Sequence, residues 1–252
     1  METLPLDILL NIIDLLAGGD GEDIKSLQIL SRTCKYMVPL CRKYLFSSLN
    51  LHSKLISERF SDLLSKNPDI ARYVTSLDYG VDIFPISGHE LNIFDMLKKR
   101  SSLRSIGLRP LSYFGWNYFP ESTRSSLIFL IQLPTVTHLS INQFKGFPAT
   151  ALSGCGNLIH LQLGRLILAP PEVDKVISRR KIPSPVSLYI GTRTYGLAAL
   201  LNSASLYAGG PIVDFSRLQK AEIHVPSPDD IDQVSELIRV TTRLEYLKIN
   251  GE

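Results

Sequence analysis

The chain has 252 residues, enough to bury a sizeable core in one or two domains. Its 44% apolar and 20% charged residues exclude a disordered tail. A formal charge of +3 is too small to argue for nucleic acid or an anionic membrane as partner. The three cysteines, Cys34, Cys41 and Cys155, cannot all pair with one another. With no signal peptide at the start, reduced thiols in the cytosol or nucleus are expected.

The first predicted element is LPLDILLNIIDLL, Leu4 to Leu16. Met1-Glu2-Thr3 ahead of it has no Lys or Arg, so it does not read as a secretory signal. It is also shorter than the ~20 apolar residues that span a membrane. Asp7, Asn11 and Asp14 fall on one narrow helical stripe and the rest of the girth is apolar. A surface helix buries an apolar stripe of somewhat more than ~100°, so this one needs cover from more than one side. Either its own domain encloses it, or another chain covers part of it. Ala17 to Gly21 then reads as a helix stop and turn. A helix before it, and no Lys-Ser/Thr ending, exclude a phosphate loop. Ile24, Leu27 and Leu30 keep helical spacing, a further helix is predicted at about Tyr36 to Tyr44, and Leu45 to Leu51 leads into a strand. Such a three-helix unit is too small to be stable alone.

Several stretches here carry a resemblance. They are Leu4-Pro5, Asp7-Ile8-Leu9, Ile12-Ile13, Leu15-Leu16, then Leu27-x-x-Leu30-Ser31-Arg32, then Tyr44 to Leu49. Together they resemble the F-box of the F-box proteins abundant in mushroom-forming fungi. Phe60 to Tyr79 is similar to the segment that follows it in that family. The likeness covers about the first eighty residues, with Cys34 standing where many F-boxes carry Trp or Phe. It implies an F-box at 1–50 that docks a Skp1-like protein and, through it, a cullin–RING ubiquitin ligase. The docking residues it implies are Leu4, Pro5, Ile8, Leu9 and Ile12, with Leu27 and Leu30 nearby. It further implies an adaptor that does no chemistry itself.

Beyond Phe46 one pattern recurs: apolar, any two residues, apolar, any one, apolar. It appears as Phe46-Leu49-Leu51, Val74-Leu77-Tyr79, Leu103-Ile106-Leu108 and Val136-Leu139-Ile141. It continues as Leu158-Leu161-Leu163, Pro185-Leu188-Ile190, Leu218-Ala221-Ile223 and Leu244-Leu247-Ile249. The intervals are about 22 to 33 residues, against roughly 20–29 in leucine-rich repeats. Helices are predicted between hits. Ser87-x-x-Glu90 is a capping box ahead of Leu91, Phe94 and Leu97. Ser227-Pro228-Asp229-Asp230 caps Ile231 to Ile238, and Glu121 to Leu133 and Glu172 to Lys181 also read as helical. The expected fold is α+β or α/β: an N-terminal three-helix unit, then an irregular leucine-rich-repeat-like solenoid of short parallel strands and helices over 51–252. A doubly wound nucleotide-binding sheet is the rival. It lacks its glycine-rich first turn here.

Strand alternation places a polar set opposite the Leu positions, including His138, His160, Gln162, Tyr189, Lys220, Glu222 and Tyr246. This face is the expected substrate-binding surface. His138 and His160 share a column, yet metal binding wants three or four ligands. No cofactor or metal is expected. SYFGWNYFPE, Ser112 to Glu121, lies in one of the overlong intervals. It offers Tyr113, Phe114, Trp116 and Tyr118 as binding anchors, or as rings that pack their own loop onto the core. Ser205 to Phe215 is a weaker second loop. Cys155, five residues from His160, is too far along the chain for a nucleophile–base pair, and no other catalytic motif is found. The expected role is a substrate-recognition adaptor. The alternative is a repeat scaffold with no part in ubiquitylation.

Overall fold

The structure, a computed structural model, describes residues 5–17, 21–33, 35–100, 102–112, 115–169, 182–195, 198–201, 211–225 and 231–251. Several features of the sequence reading lie outside these residues: Leu4, the turn at 18–20, Cys34, Tyr113 and Phe114. So do the helix at 172–181, the cap at 227–230 and the loop residues 205–210.

Three helices open the chain: α1 (Leu6–Ala17), α2 (Gly21–Thr33) and α3 (Met37–Leu45). They enclose a small core of Ile13, Leu27, Met37 and Cys41, separate from the main one. The Tyr44 hydroxyl donates to the Asp14 carboxylate, tying α3 to α1.

Next comes a sheet of eight parallel strands in strict chain order. They are β1 (Ser48–Leu51), β2 (Ser76–Val81), β3 (Ser105–Pro110), β4 (His138–Asn142), β6 (His160–Gly164), β8 (Ser187–Ile190), β9 (Lys220–Val225) and β10 (Tyr246–Gly251). Two short strands, β5 (Lys145–Pro148) and β7 (Ile167–Ala169), pair separately. The intervening helices are α4 (Lys54–Lys66), α5 (Gly88–Arg100), α6 (Glu121–Ile131), α7 (Ala198–Leu201) and α8 (Ile231–Val240). Among the described residues the strand order never reverses and forms no switch point of the kind at which doubly wound sheets bind nucleotides.

The last two positions of all eight apolar hits fall on these strands and in one register, and the first position of each lies just ahead of its strand. Their middle positions, Leu49, Leu77, Ile106, Leu139, Leu161, Leu188, Ala221 and Leu247, pair from strand to strand. A second regularity lies in the backbone. At every junction one carbonyl accepts two successive N–H groups from the next strand's entrance. Ser47 accepts from Thr75 and Ser76, Thr75 from Arg104 and Ser105, and so on to Gln219 from Glu245 and Tyr246, all at 2.7–3.1 Å. The junction is therefore constant while the interval between strands drifts.

The helices follow from local chemistry. Ser53 caps α4 by accepting from the Ile56 N–H at 3.4 Å. The capping box predicted at α5 forms: Glu90 N–H donates to Ser87 Oγ (3.2 Å), and Ser87 N–H donates to Glu90 Oε2 (2.8 Å). Phe60, Leu64, Ile93, Leu97, Leu127 and Leu130 bury the helices against the sheet's apolar columns. At β10 the columns change character. Leu247 and Ile249 are 38% and 51% exposed, whereas their counterparts on the other strands are buried. Among the described residues no helix is long and apolar enough to cross a membrane.

Candidate interaction surfaces

The first surface is built by α1. Leu9, Ile13 and Leu16, at i, i+4 and i+7, pack on the small core. One residue round the helix, Ile8, Ile12 and Leu15 have the same spacing but are 43%, 39% and 78% exposed. Leu6 and Leu10 are exposed as well, and Ile29 of α2 and Tyr36 ahead of α3 add to the apolar surface of this unit. Of the predicted docking residues, Pro5, Ile8 and Ile12 are exposed, while Leu9 and Leu30 are half-buried. Leu27 is a correction. It is fully buried between the helices, so it supports the surface and does not form it. Ile29 was missed because it lies off the Ile24, Leu27, Leu30 face used to place α2, and Tyr36 because it was read only as the start of the next helix.

The second surface is the polar face of the sheet. Register brings the predicted residues together in two rows. His138, His160, Ser187, Lys220 and Tyr246 share one; Ser140, Gln162, Tyr189, Glu222 and Lys248 share the next. His138 and His160 stack, with centroids 4.2 Å apart and planes 24° from parallel. Imidazole lone pairs lie in the ring plane. Near-parallel rings therefore send them side by side, not toward one ion at ~2.0–2.1 Å from each. Among the described residues no group of three or more His, Cys, Asp or Glu is arranged to hold a metal. Burial, then the neighbouring His138 and Lys220, hold His160 below the ordinary histidine pKa.

Other polar-face residues are already paired. Lys248 Nζ donates to Glu222 Oε1 at 2.8 Å, and Asn250 donates to the same oxygen at 3.2 Å. This holds Glu222 below the usual carboxylate range. At the other end, His52 lies 3.2 Å from Asp78 Oδ2 and 3.0 Å from Arg109 Nη2. That cluster is not evident in sequence, where its members are far apart.

The aromatic insertion divides. Trp116 is buried, with its ring 4.8 Å from Phe147, 5.6 Å from Phe144 and 6.2 Å from Phe119. It packs the insertion onto the core and is not a surface anchor, which corrects its place among the binding residues. Tyr118, two residues on, is 75% exposed. Cys155 is also buried. Its thiol donates to the Ile131 carbonyl at 3.3 Å, and burial pushes its pKa up to about 12. It is a packed thiol, not an activated nucleophile.

No protein-family model and no curated protein matches this chain.

Proposed function

We propose that the chain is an F-box substrate-recognition adaptor of a Skp1–cullin–F-box ubiquitin ligase. In this reading α1 to α3 dock a Skp1-like protein, and the parallel sheet is a degenerate leucine-rich-repeat solenoid that presents a protein substrate. The supporting observation is the second apolar stripe of α1, Ile8, Ile12 and Leu15, exposed beside a core that already has its own stripe. Exposed apolar surface of this kind marks an interface. The adaptor raises the local concentration of its substrate at the conjugating enzyme.

Co-purification of the full chain with Skp1 tests this. Covering the roughly 40% of each Ile that is still exposed contributes about 0.6–1.2 kcal/mol apiece, and burying two unpaired carboxylates costs several kcal/mol more, so Ile8→Asp with Ile12→Asp should weaken Skp1 binding at least ~100-fold. Both sites are exposed, so the variant should keep its helical circular dichroism. A native chain that fails to bind Skp1 while folded makes the protein a repeat scaffold outside ubiquitylation.

A further inference from the structure

Among the described residues three non-glycine residues hold a positive φ: Gln143 (65°), Arg165 (49°) and Arg193 (55°). They form a column. Each stands two residues before a member of the second, shorter ladder. Lys145 pairs with Ile167, and Ile167 with Tyr195. The left-handed region favours glycine and tolerates asparagine. Two of these three positions hold arginine instead. Adjacent strands lie about 4.8 Å apart, so Arg165 and Arg193 set like charges in neighbouring turns, an unfavourable arrangement on its own. Both are exposed, and neither forms an ion pair among the described residues. The turns after β6 and β8 hold Arg165 and Arg193, Lys145 opens β5 just past the turn after β4, and none of these stretches holds an Asp or Glu.

Beside this column is a shallow hollow. Asn142, Gln143, Gln162, Arg165, Tyr189 and Thr192 line it, with Gly164 and Gly191 as its floor. Neither glycine has room for a side chain: a Cβ at Gly164 would collide with Asn142 Oδ1, and one at Gly191 would lie 3.2 Å from the Gly164 Cα. The lining offers amide, hydroxyl and guanidinium donors and no carboxylate.

We propose that this hollow binds an anionic segment of the protein substrate, one carboxylate or phosphate group seating beside Arg165, with Arg193 in the next turn adding to the field. The proposal rests on reading the polar sheet face as substrate-presenting, and it names the substrate's chemistry: acidic or phosphorylated. Bidentate pairing suits arginine to either group.

The test is fluorescence anisotropy of the full chain with three labelled peptides of equal length: hexaglutamate, a neutral Gly-Ser peptide, and that peptide carrying two phosphoserines. At low salt the native chain should bind at least one anionic peptide about tenfold or more tightly than the neutral one. Which anionic peptide wins distinguishes carboxylate from phosphate. Arg165→Asn with Arg193→Asn, tolerated at positive φ, should abolish the preference without lowering the melting temperature. Equal binding of all three peptides, or a folded double variant that keeps the preference, overturns the proposal. The native chain gives an answer independent of any variant's folding. Raising salt should erase the preference, and a preference insensitive to salt also overturns it. Skp1 capture is scored on the same preparations. Lost peptide discrimination with intact Skp1 binding removes the anion site alone; intact discrimination without Skp1 binding removes the ligase reading alone.

Discussion

Glu90→Ala probes how one side chain joins a helix cap to the sheet. Glu90 accepts from three donors: the Ser87 N–H (2.8 Å), the Ser87 hydroxyl (2.9 Å) and the Tyr79 hydroxyl (3.1 Å). Tyr79 is the inward residue at the end of its repeat hit. It is buried, with its ring 5.2 Å from that of Phe94. Burial, then the charge of Glu90 and the hydrogen bond to it, push the phenol's pKa up, so it stays a donor. Truncating Glu90 orphans that donor, at about 1–3 kcal/mol, and removes the cap partner, at about 1 kcal/mol. The expected loss is therefore about 2–4 kcal/mol. Tyr79→Phe alone keeps the ring and both Ser87 bonds and should cost about 1 kcal/mol. Combining the two leaves no orphan, so the cycle should show a coupling of about 1–2 kcal/mol. Urea unfolding followed by Trp116 fluorescence reads the sheet, because the only tryptophan is buried there and not in α1 to α3. A Glu90→Ala cost below about 0.5 kcal/mol, or one unchanged by the Tyr79 hydroxyl, refutes the reasoning.

Two further outcomes concern the polar face and the aromatic insertion. His160 has a lowered pKa in the folded chain, so its stabilising share is full above the ordinary histidine pKa and is lost as pH falls through the lowered value. The urea midpoint should drop on acidification through this window, and His160→Gln should flatten the drop; an equal drop in the variant contradicts the assignment. Trp116→Ala should cost about 3–5 kcal/mol by circular dichroism melts, while Tyr118→Ala should stay within about 0.5 kcal/mol; comparable costs would mean that the insertion is not anchored by the buried ring.

The strands were legible because their signal is local and repeated. An apolar residue at alternate positions can occupy only one face, and such segments in register bury one another on every strand but the last. The α5 cap was legible for the same reason, since Ser87 and Glu90 carry it within four residues. On α1 periodicity gave out. Ile8/Ile12/Leu15 and Leu9/Ile13/Leu16 are equally good helical stripes, and only the packing of α2 and α3 decides which is covered. Leu27 was set near the docking residues by the resemblance alone, and the packing of α1 to α3 makes it core. The short ladder of β5 and β7 was not legible at all. Lys145-Gly146-Phe147-Pro148 has poor strand propensity, and its pairing accompanies the cluster that Phe144 and Phe147 form with Trp116. The left-handed turns were hidden because arginine is not a residue from which positive φ is inferred.

The variable interval between strands has a physical reason. Closing a longer loop costs little: going from about 22 to about 33 residues adds only about 0.4 kcal/mol. Losing the junction would cost more. Its carbonyl and two N–H groups sit at the strand entrance beside buried residues such as Val74, Leu103 and Val136, and an unmet buried group costs about 1–3 kcal/mol. Sequence drift is therefore free in the connections and constrained at the entrances. That asymmetry let the Leu108–Ile141 interval take in Trp116 and its ring cluster without disturbing the register of β3 on β4. It also separates the two tasks of the sheet. The inward columns hold the strands together, and the polar rows and the turns beyond them are left to differ from strand to strand, as the proposed recognition surface requires.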